Sequence, residues 1–271
     1  MESTESRKRG RPRGWVDTSE QTRIKALDRA MMVLETLSLE GAMTLTELAQ
    51  ACEQSPATVY RVLTTLAHRD IVDFEADQQT WHIGAGAFRI GSRFLRRTAL
   101  VENARPALRA LMLATGETAN LAVARNGQVL FLSQVETHET IRAFFPPGTM
   151  SPMHASGIGK ALLAQMPTEQ VRDILDAHGQ ERFTRHTLPN PDSLLADLAL
   201  AKRRGYAVDD EEKSVGMRCV AAPIFDMHGE AVAGISVSGP SARVSQSTIA
   251  GIANHVIAAA RDITHRIGGP T

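Results

Sequence analysis

The side chains best placed to do chemistry in this 271-residue chain lie near its C-terminus: Met217, Cys219, Ser236 and Ser238. The intervening Asp226-Met-His-Gly229 reads as an even-length hairpin turn, and the antiparallel register it closes sets Cys219 opposite Ser236 and Met217 opposite Ser238. Because side chains alternate along a strand, all four share one face. The other face carries Val220, Ala222, Ile224, Ala231, Ala233, Ile235 and Val237, an apolar surface that supplies a core. Two hydroxyls and a thiol on a buried sheet cost free energy unless something hydrogen-bonds them, whether backbone, water or a small polar ligand. The plainer alternative is that the serines satisfy one another and Cys219 acts as a small hydrophobe.

A second set of residues lies near the N-terminus. In the helical stretch 57–69, Val59, Val62, Leu63 and Leu66 form a buried stripe, which leaves Ser55, Ala57, Thr58, Tyr60, Arg61, Thr64 and Thr65 off it. Short side chains let such a helix approach base edges in a major groove, and an arginine pairs with guanine or holds a phosphate. An ordinary solvated helix face is the alternative. Further upstream, Gly10-Arg11-Pro12-Arg13, with Arg9 beside it, looks like an AT-hook core, a thin arginine-bearing strip suited to a narrow minor groove. A solubilising tail is the alternative there.

These residues need elements to hold them. With 30 basic and 30 acidic side chains the chain has no net charge, so any field facing nucleic acid is local. A 43% hydrophobic content is enough to form real cores. Two cysteines far apart fit a reducing compartment, and neither a spanning apolar run nor a signal-peptide core is found, so a cytoplasmic protein without membrane contact is expected. Ile24, Leu27, Met31 and Leu34 recur at helical spacing over about 22–38. Thr44 and Glu47 form a capping box before a short helix, and Ser55-Pro56 opens the next. Ile71–Glu75 and Thr80–Ile83 alternate as a two-stranded ribbon. Helix, helix, helix, hairpin is the order of a winged helix-turn-helix. Residues 85 to about 113 read as a helical connector broken before Pro106. Strands are expected at 120–125, 129–133 and 140–144 around an Asn126-Gly127 turn, and again near 206–210, 217–225 and 231–238. Helices are expected near 155–165, 168–178, 192–204 and 246–266.

Three segments carry a family resemblance: LTELAQACEQSPATVYRVLTTL (45–66), SPMHASGIGKALLA (151–164) and RRGYAVDDEEKSVGMRCVAAPIFDMHGEAVAGISVSGP (203–240). On these the chain resembles the IclR-type bacterial transcriptional regulators. Residues 1–23, polar, rich in Gly, Pro and Arg and without hydrophobic period, read as a flexible basic arm; from Ile24 on, the resemblance implies an α+β protein with a winged helix-turn-helix over 24–83, a linker helix over 84–98, and a GAF-like effector-binding and oligomerisation domain over 99–271. It implies operator DNA as partner, assembly as a homodimer or a dimer of dimers, and no cofactor. In members that sense glyoxylate or related short 2-oxo acids, the matching effector positions are Gly157, Ile158, Asp209, Met217, Cys219, Ser236 and Ser238. An aromatic-acid effector is the competing reading. An enzyme is the rival class, with Cys219 and a histidine as a nucleophile pair, or His154, Asp209 and Cys219 as a metal set. Neither has diagnostic spacing, so no catalytic or metal site is expected.

Overall fold

Helix α1 (Lys25–Glu40) ends at Gly41, whose φ of 84° few other residues adopt at low cost. A short strand β1 (Met43–Thr44) follows, and Thr44 then caps α2 (Leu45–Ala51): its Oγ1 accepts from the Glu47 amide at 3.3 Å while Glu47 Oε2 accepts from the Thr44 amide at 2.8 Å. Glu53, at φ 51°, turns the chain from α2 into α3 (Pro56–Ala67), which Ser55 caps by accepting from the Thr58 amide at 3.2 Å. Strands β2 (Val72–Glu75) and β3 (Thr80–Ile83) form the wing, and β1 adds to β3 as a third strand that alternation does not reveal in two residues. The core beneath them is Val33, Leu37, Leu48, Val59, Leu63, Val72 and Trp81. This corrects the expected stripe of α1. Ile24, Leu27 and Met31 are exposed, and the helix buries the neighbouring Val33 and Leu37 instead. The chain divides into two compact units, Met1–Arg93 and Phe94–Thr271; this computed structural model describes residues 24–96 and 100–270, with backbone only at 94–96.

The connector is two helices, α4 (Ala85–Arg96) and α5 (Leu100–Thr115), and Pro106 lies inside α5 rather than at a break. Pro106 has no amide to donate to the Glu102 carbonyl, yet Leu100, Ala104, Ala107, Leu108, Leu111 and Met112 continue one buried stripe through it. Packing outweighs the local preference for a break.

The second unit is built on a six-stranded antiparallel sheet in the order β6-β5-β4-β9-β8-β7. Its strands are β4 (Thr118–Arg125), β5 (Gln128–Val135), β6 (Met150–Pro152), β7 (Ala207–Asp210), β8 (Met217–Phe225) and β9 (Ala231–Pro240). Asn126 and Gly127, at φ 49° and 72°, make the two-residue turn between β4 and β5. Residues 140–144 form no strand; the chain there runs irregularly and pairing resumes only at β6. One sheet face packs on α5 and α9 (Ile249–Arg266) through Val220, Ala222, Ile224, Ala233, Ile235 and Val237. The other face packs on α6 (Gly157–Leu163), α7 (Thr168–His178) and α8 (Pro191–Arg204).

The β8/β9 register differs from the expected one by two residues. Cys219 faces Ser238, Ala221 faces Ser236, and Met217 faces Pro240. A five-residue connection, closed by Asp226 and Glu230, replaces the four-residue turn, and a bulge beside Ile224 and Phe225 adds one more position. The two single-residue offsets sum to two, so Met217, Cys219, Ser236 and Ser238 still share a face. Ala231, beyond the bulge, packs on the opposite face from the one expected.

Candidate functional site

Two adjacent cross-strand rows meet on the α6 side of the sheet. One runs Gln134, Asn120, Ser236, Ala221, and the next runs Thr118, Ser238, Cys219, Asp209. Ser156 caps α6 by accepting from the Gly159 amide at 3.4 Å, which settles the helix start at Gly157 rather than after Ser151. The first amides of any helix lack intrahelical partners, and here they belong to Gly157 and Ile158. The Gly157 amide faces the Cys219 sulfur. A Cβ on Gly157 would lie 2.6 Å from Cys219 Sγ, so only glycine lets α6 sit this low on the sheet. Bulky Ile158 is accommodated by Gly234, where a Cβ would meet Ile158 Cγ2 at 2.6 Å.

All seven residues singled out from sequence, Gly157, Ile158, Asp209, Met217, Cys219, Ser236 and Ser238, line one cavity of about 50 Å³. Phe131 and Phe145, stacked at 4.9 Å, wall it, and Lys213 also lines it. Alternation could not reveal Phe145 or Lys213, which lie in irregular segments, or Asn120, which the pairing of β4 with β9 brings beside the serines. Arg218 contributes to the lining, but its guanidinium is committed to Asp210 at 2.7 Å and to the Ser241 and Val244 carbonyls. Lys213 sits with its Nζ 3.3 Å above the Phe183 ring; burial lowers its pKa, opposed by Glu181 and Asp209.

Burial dominates the titration of the site. It pushes the Asp209 carboxyl up to about 7, helped by the nearby Glu212 and opposed by the Glu212 amide, which donates to Asp209 Oδ1 at 2.8 Å. It pushes the Cys219 thiol up to about 11, against the serine hydroxyls and the Gly157 amide, so at neutral pH the group is a thiol and a poor nucleophile. Behind α6, Lys160 is 1% exposed and holds Glu212 at 2.5 Å and Asp197 at 2.8 Å. Burial opposes its charge, but these two carboxylates outweigh that and raise its pKa. His154 donates to the Glu181 carbonyl at 2.9 Å and stacks on Phe183; it does not converge with Asp209 and Cys219.

In the first unit, α3 exposes Ser55, Ala57, Tyr60, Arg61 and Thr65, with Thr58 half-buried. The Thr64 and Thr65 hydroxyls each donate at 2.7 Å to the carbonyl four residues back, so these side chains present a methyl group and an acceptor oxygen. Arg29 of α1 joins Thr58, Arg61 and Thr65 along one groove. Arg9, Arg11 and Arg13 lie outside the described residues.

A short helix in a turn ahead of an exposed helix and a wing, followed by a six-stranded sheet domain, is also what comparison with known proteins finds. Residues 26–76 match the IclR helix-turn-helix domain and residues 92–265 match the bacterial transcriptional regulator IclR C-terminal domain. The chain belongs to the IclR family of bacterial transcriptional regulators. It is 52% identical over 265 residues to the HTH-type transcriptional regulator BhcR of Paracoccus denitrificans, covering 97% of this chain and 95% of that one. It is 39% identical to the transcriptional repressor IclR of Escherichia coli K12, with 97% of both covered. Among solved structures, an IclR homologue from Microbacterium hydrocarbonoxydans complexed with 4-hydroxybenzoate superposes with a TM-score of 0.79 at 25% identity, covering 89% of this chain and 98% of that one. As an IclR-family regulator the chain pairs a DNA-binding helix-turn-helix with an effector domain, and no helix among the described residues is long and apolar enough to cross a membrane.

Proposed function

We propose that this IclR-family chain regulates a metabolic operon through operator affinity set by a short 2-oxo acid, glyoxylate being the first choice, bound among Gly157, Ile158, Asp209, Met217, Cys219, Ser236 and Ser238. The observation that carries the reading is the size and chemistry of the cavity. The cavity is small, about 50 Å³, and a few polar groups project into its otherwise apolar lining, which suits a compact acid. The serine hydroxyls and first-turn amides of α6 supply donors, and Lys213 supplies counter-charge. Asp209 is compatible with an anion because its raised pKa lets it carry a proton near neutrality. The rival aromatic effector is kept in view by the 4-hydroxybenzoate held in the related solved structure.

On the DNA side, the reading assigns base and phosphate contacts to Ser55, Ala57, Thr58, Tyr60, Arg61 and Thr65, and minor-groove contacts to Arg9, Arg11 and Arg13. It takes 24–83 as the reading domain, 84–98 as the linker and 99–271 as the effector domain. Pairing into a homodimer, or a dimer of dimers, is supported by the exposed Leu27 and Met31 on α1 and Ile24 just before it, an apolar strip outside the described core of the first unit.

Calorimetric titration tests the effector. Glyoxylate and pyruvate are expected to bind and 4-hydroxybenzoate not to bind. Because the anion favours protonated Asp209, affinity falls as pH rises through about 7 and binding takes up protons above that pH. Tight 4-hydroxybenzoate binding with no response to short acids overturns the assignment.

A further inference from the structure

Asn120 is fully buried on β4, and its amide lies between the two cavity serines. Its Nδ2 donates to Ser238 Oγ at 3.2 Å and to Ser236 Oγ at 3.4 Å. Gln134 Nε2 donates to Asn120 Oδ1 at 3.2 Å and to the Ala143 carbonyl at 3.4 Å. The direction of this chain follows from its far end. A backbone carbonyl can only accept, so the Gln134 amide must turn its NH2 toward Ala143 and Asn120. Asn120 must then meet it with its oxygen, which leaves its own NH2 for the serines. Each serine oxygen therefore accepts from Asn120, and its single O–H hydrogen is left to donate on the cavity side, where the Cys219 sulfur lies.

We infer that Asn120, held by Gln134, is a positioning residue that orients the Ser236 and Ser238 hydroxyls as donors and so makes the cavity select an anion over a neutral ligand of the same shape. This rests on the effector reading above. Unoriented serines would offer lone pairs as readily as hydrogens, and a carboxylate can accept but not donate. The same network reaches the segment bearing Phe145 through Ala143, so the chain that orients the hydroxyls also anchors the stretch that walls the cavity.

The test compares pyruvate with pyruvamide, its neutral amide, by calorimetry on the full chain, for the parent, Asn120→Asp, Asn120→Leu and Gln134→Leu. The parent is expected to prefer pyruvate by about ten- to hundredfold, the value of a charge-assisted hydrogen bond or two. Asn120→Asp forces the serines to donate to the new carboxylate, so the preference should vanish or invert. Asn120→Leu introduces no charge and should narrow the preference as well, which separates orientation from simple repulsion. Gln134→Leu lies one step back in the network and should narrow it in the same sense, keeping the test intact if the Asn120 variants do not fold. A merely structural role would weaken both ligands in proportion. An unchanged ratio in the folded variants, with pyruvate bound by the parent, overturns this inference alone. Absence of pyruvate binding to the parent overturns the effector reading and this inference with it.

Discussion

Ser236→Ala/Ser238→Ala is expected to weaken glyoxylate binding at least a hundredfold while leaving the fold intact. Each hydroxyl supplies a hydrogen bond to a charged acceptor, worth about 1.5–3 kcal/mol when buried, and both disappear together. The substitution also strands the Asn120 amide hydrogens, which donate to those two oxygens, so some stability is lost as well. That cost is separable, since a thermal melt reports the fold and calorimetry reports the site. Tight glyoxylate binding in the folded double variant would move the site away from this face of β9.

Arg61→Ala is expected to weaken operator binding about a hundredfold or more at matched salt. Arg61 is an exposed arginine on α3, flanked by Thr58, Thr65 and Arg29, and one base or phosphate contact of this kind is worth about 1–3 kcal/mol. In a two-fold dimer the loss counts twice. Deleting residues 1–14 should behave differently, lowering the salt dependence and the preference for AT-rich flanks, because it removes phosphate neutralisation and minor-groove insertion rather than major-groove reading. Operator affinity in Arg61→Ala equal to that of the parent would remove α3 from the reading role.

Much of this arrangement was legible in the sequence because local chemistry and tertiary packing agree there. Thr44 and Glu47 meet as a capping box, Ser55-Pro56 opens α3, and period-two alternation places Cys219, Ser236 and Ser238 on one face. What escaped the reading depends on partners distant in sequence. The register of β8 against β9 slipped by two because an odd-length connection and a bulge each add one residue, and neither leaves a mark in alternation. Pro106 suggested a helix break that the continuous core of α5 overrides. Asn120 gave no signal because only the pairing of β4 with β9 brings it to the serines, 116 residues away along the chain. Glu53 turns the helix-turn-helix at positive φ where a glycine would have advertised the turn.

Lys160, buried with Glu212 and paired also with the half-buried Asp197, ties together elements on either side of the site. Lys160 lies about one turn along α6 from Gly157, and the Glu212 amide donates to Asp209, so the two walls of the cavity are tied through one ion network. Breaking such a pair leaves an uncompensated buried charge, which makes the positions of α6 and β7 mutually dependent. An effector that binds between them can alter DNA affinity only through a difference in its affinity for the DNA-competent and DNA-incompetent states.

The most direct measurement is therefore the affinity of the parent protein for a fluorescent fragment of the intergenic DNA upstream of its own gene, with and without saturating glyoxylate, at fixed pH and salt. Ligand-coupled regulation predicts a change of about five- to 150-fold, in one direction or the other, with the same factor appearing in glyoxylate affinity when DNA is added. Equal operator affinity in both conditions, with glyoxylate shown by calorimetry to be bound, would contradict it.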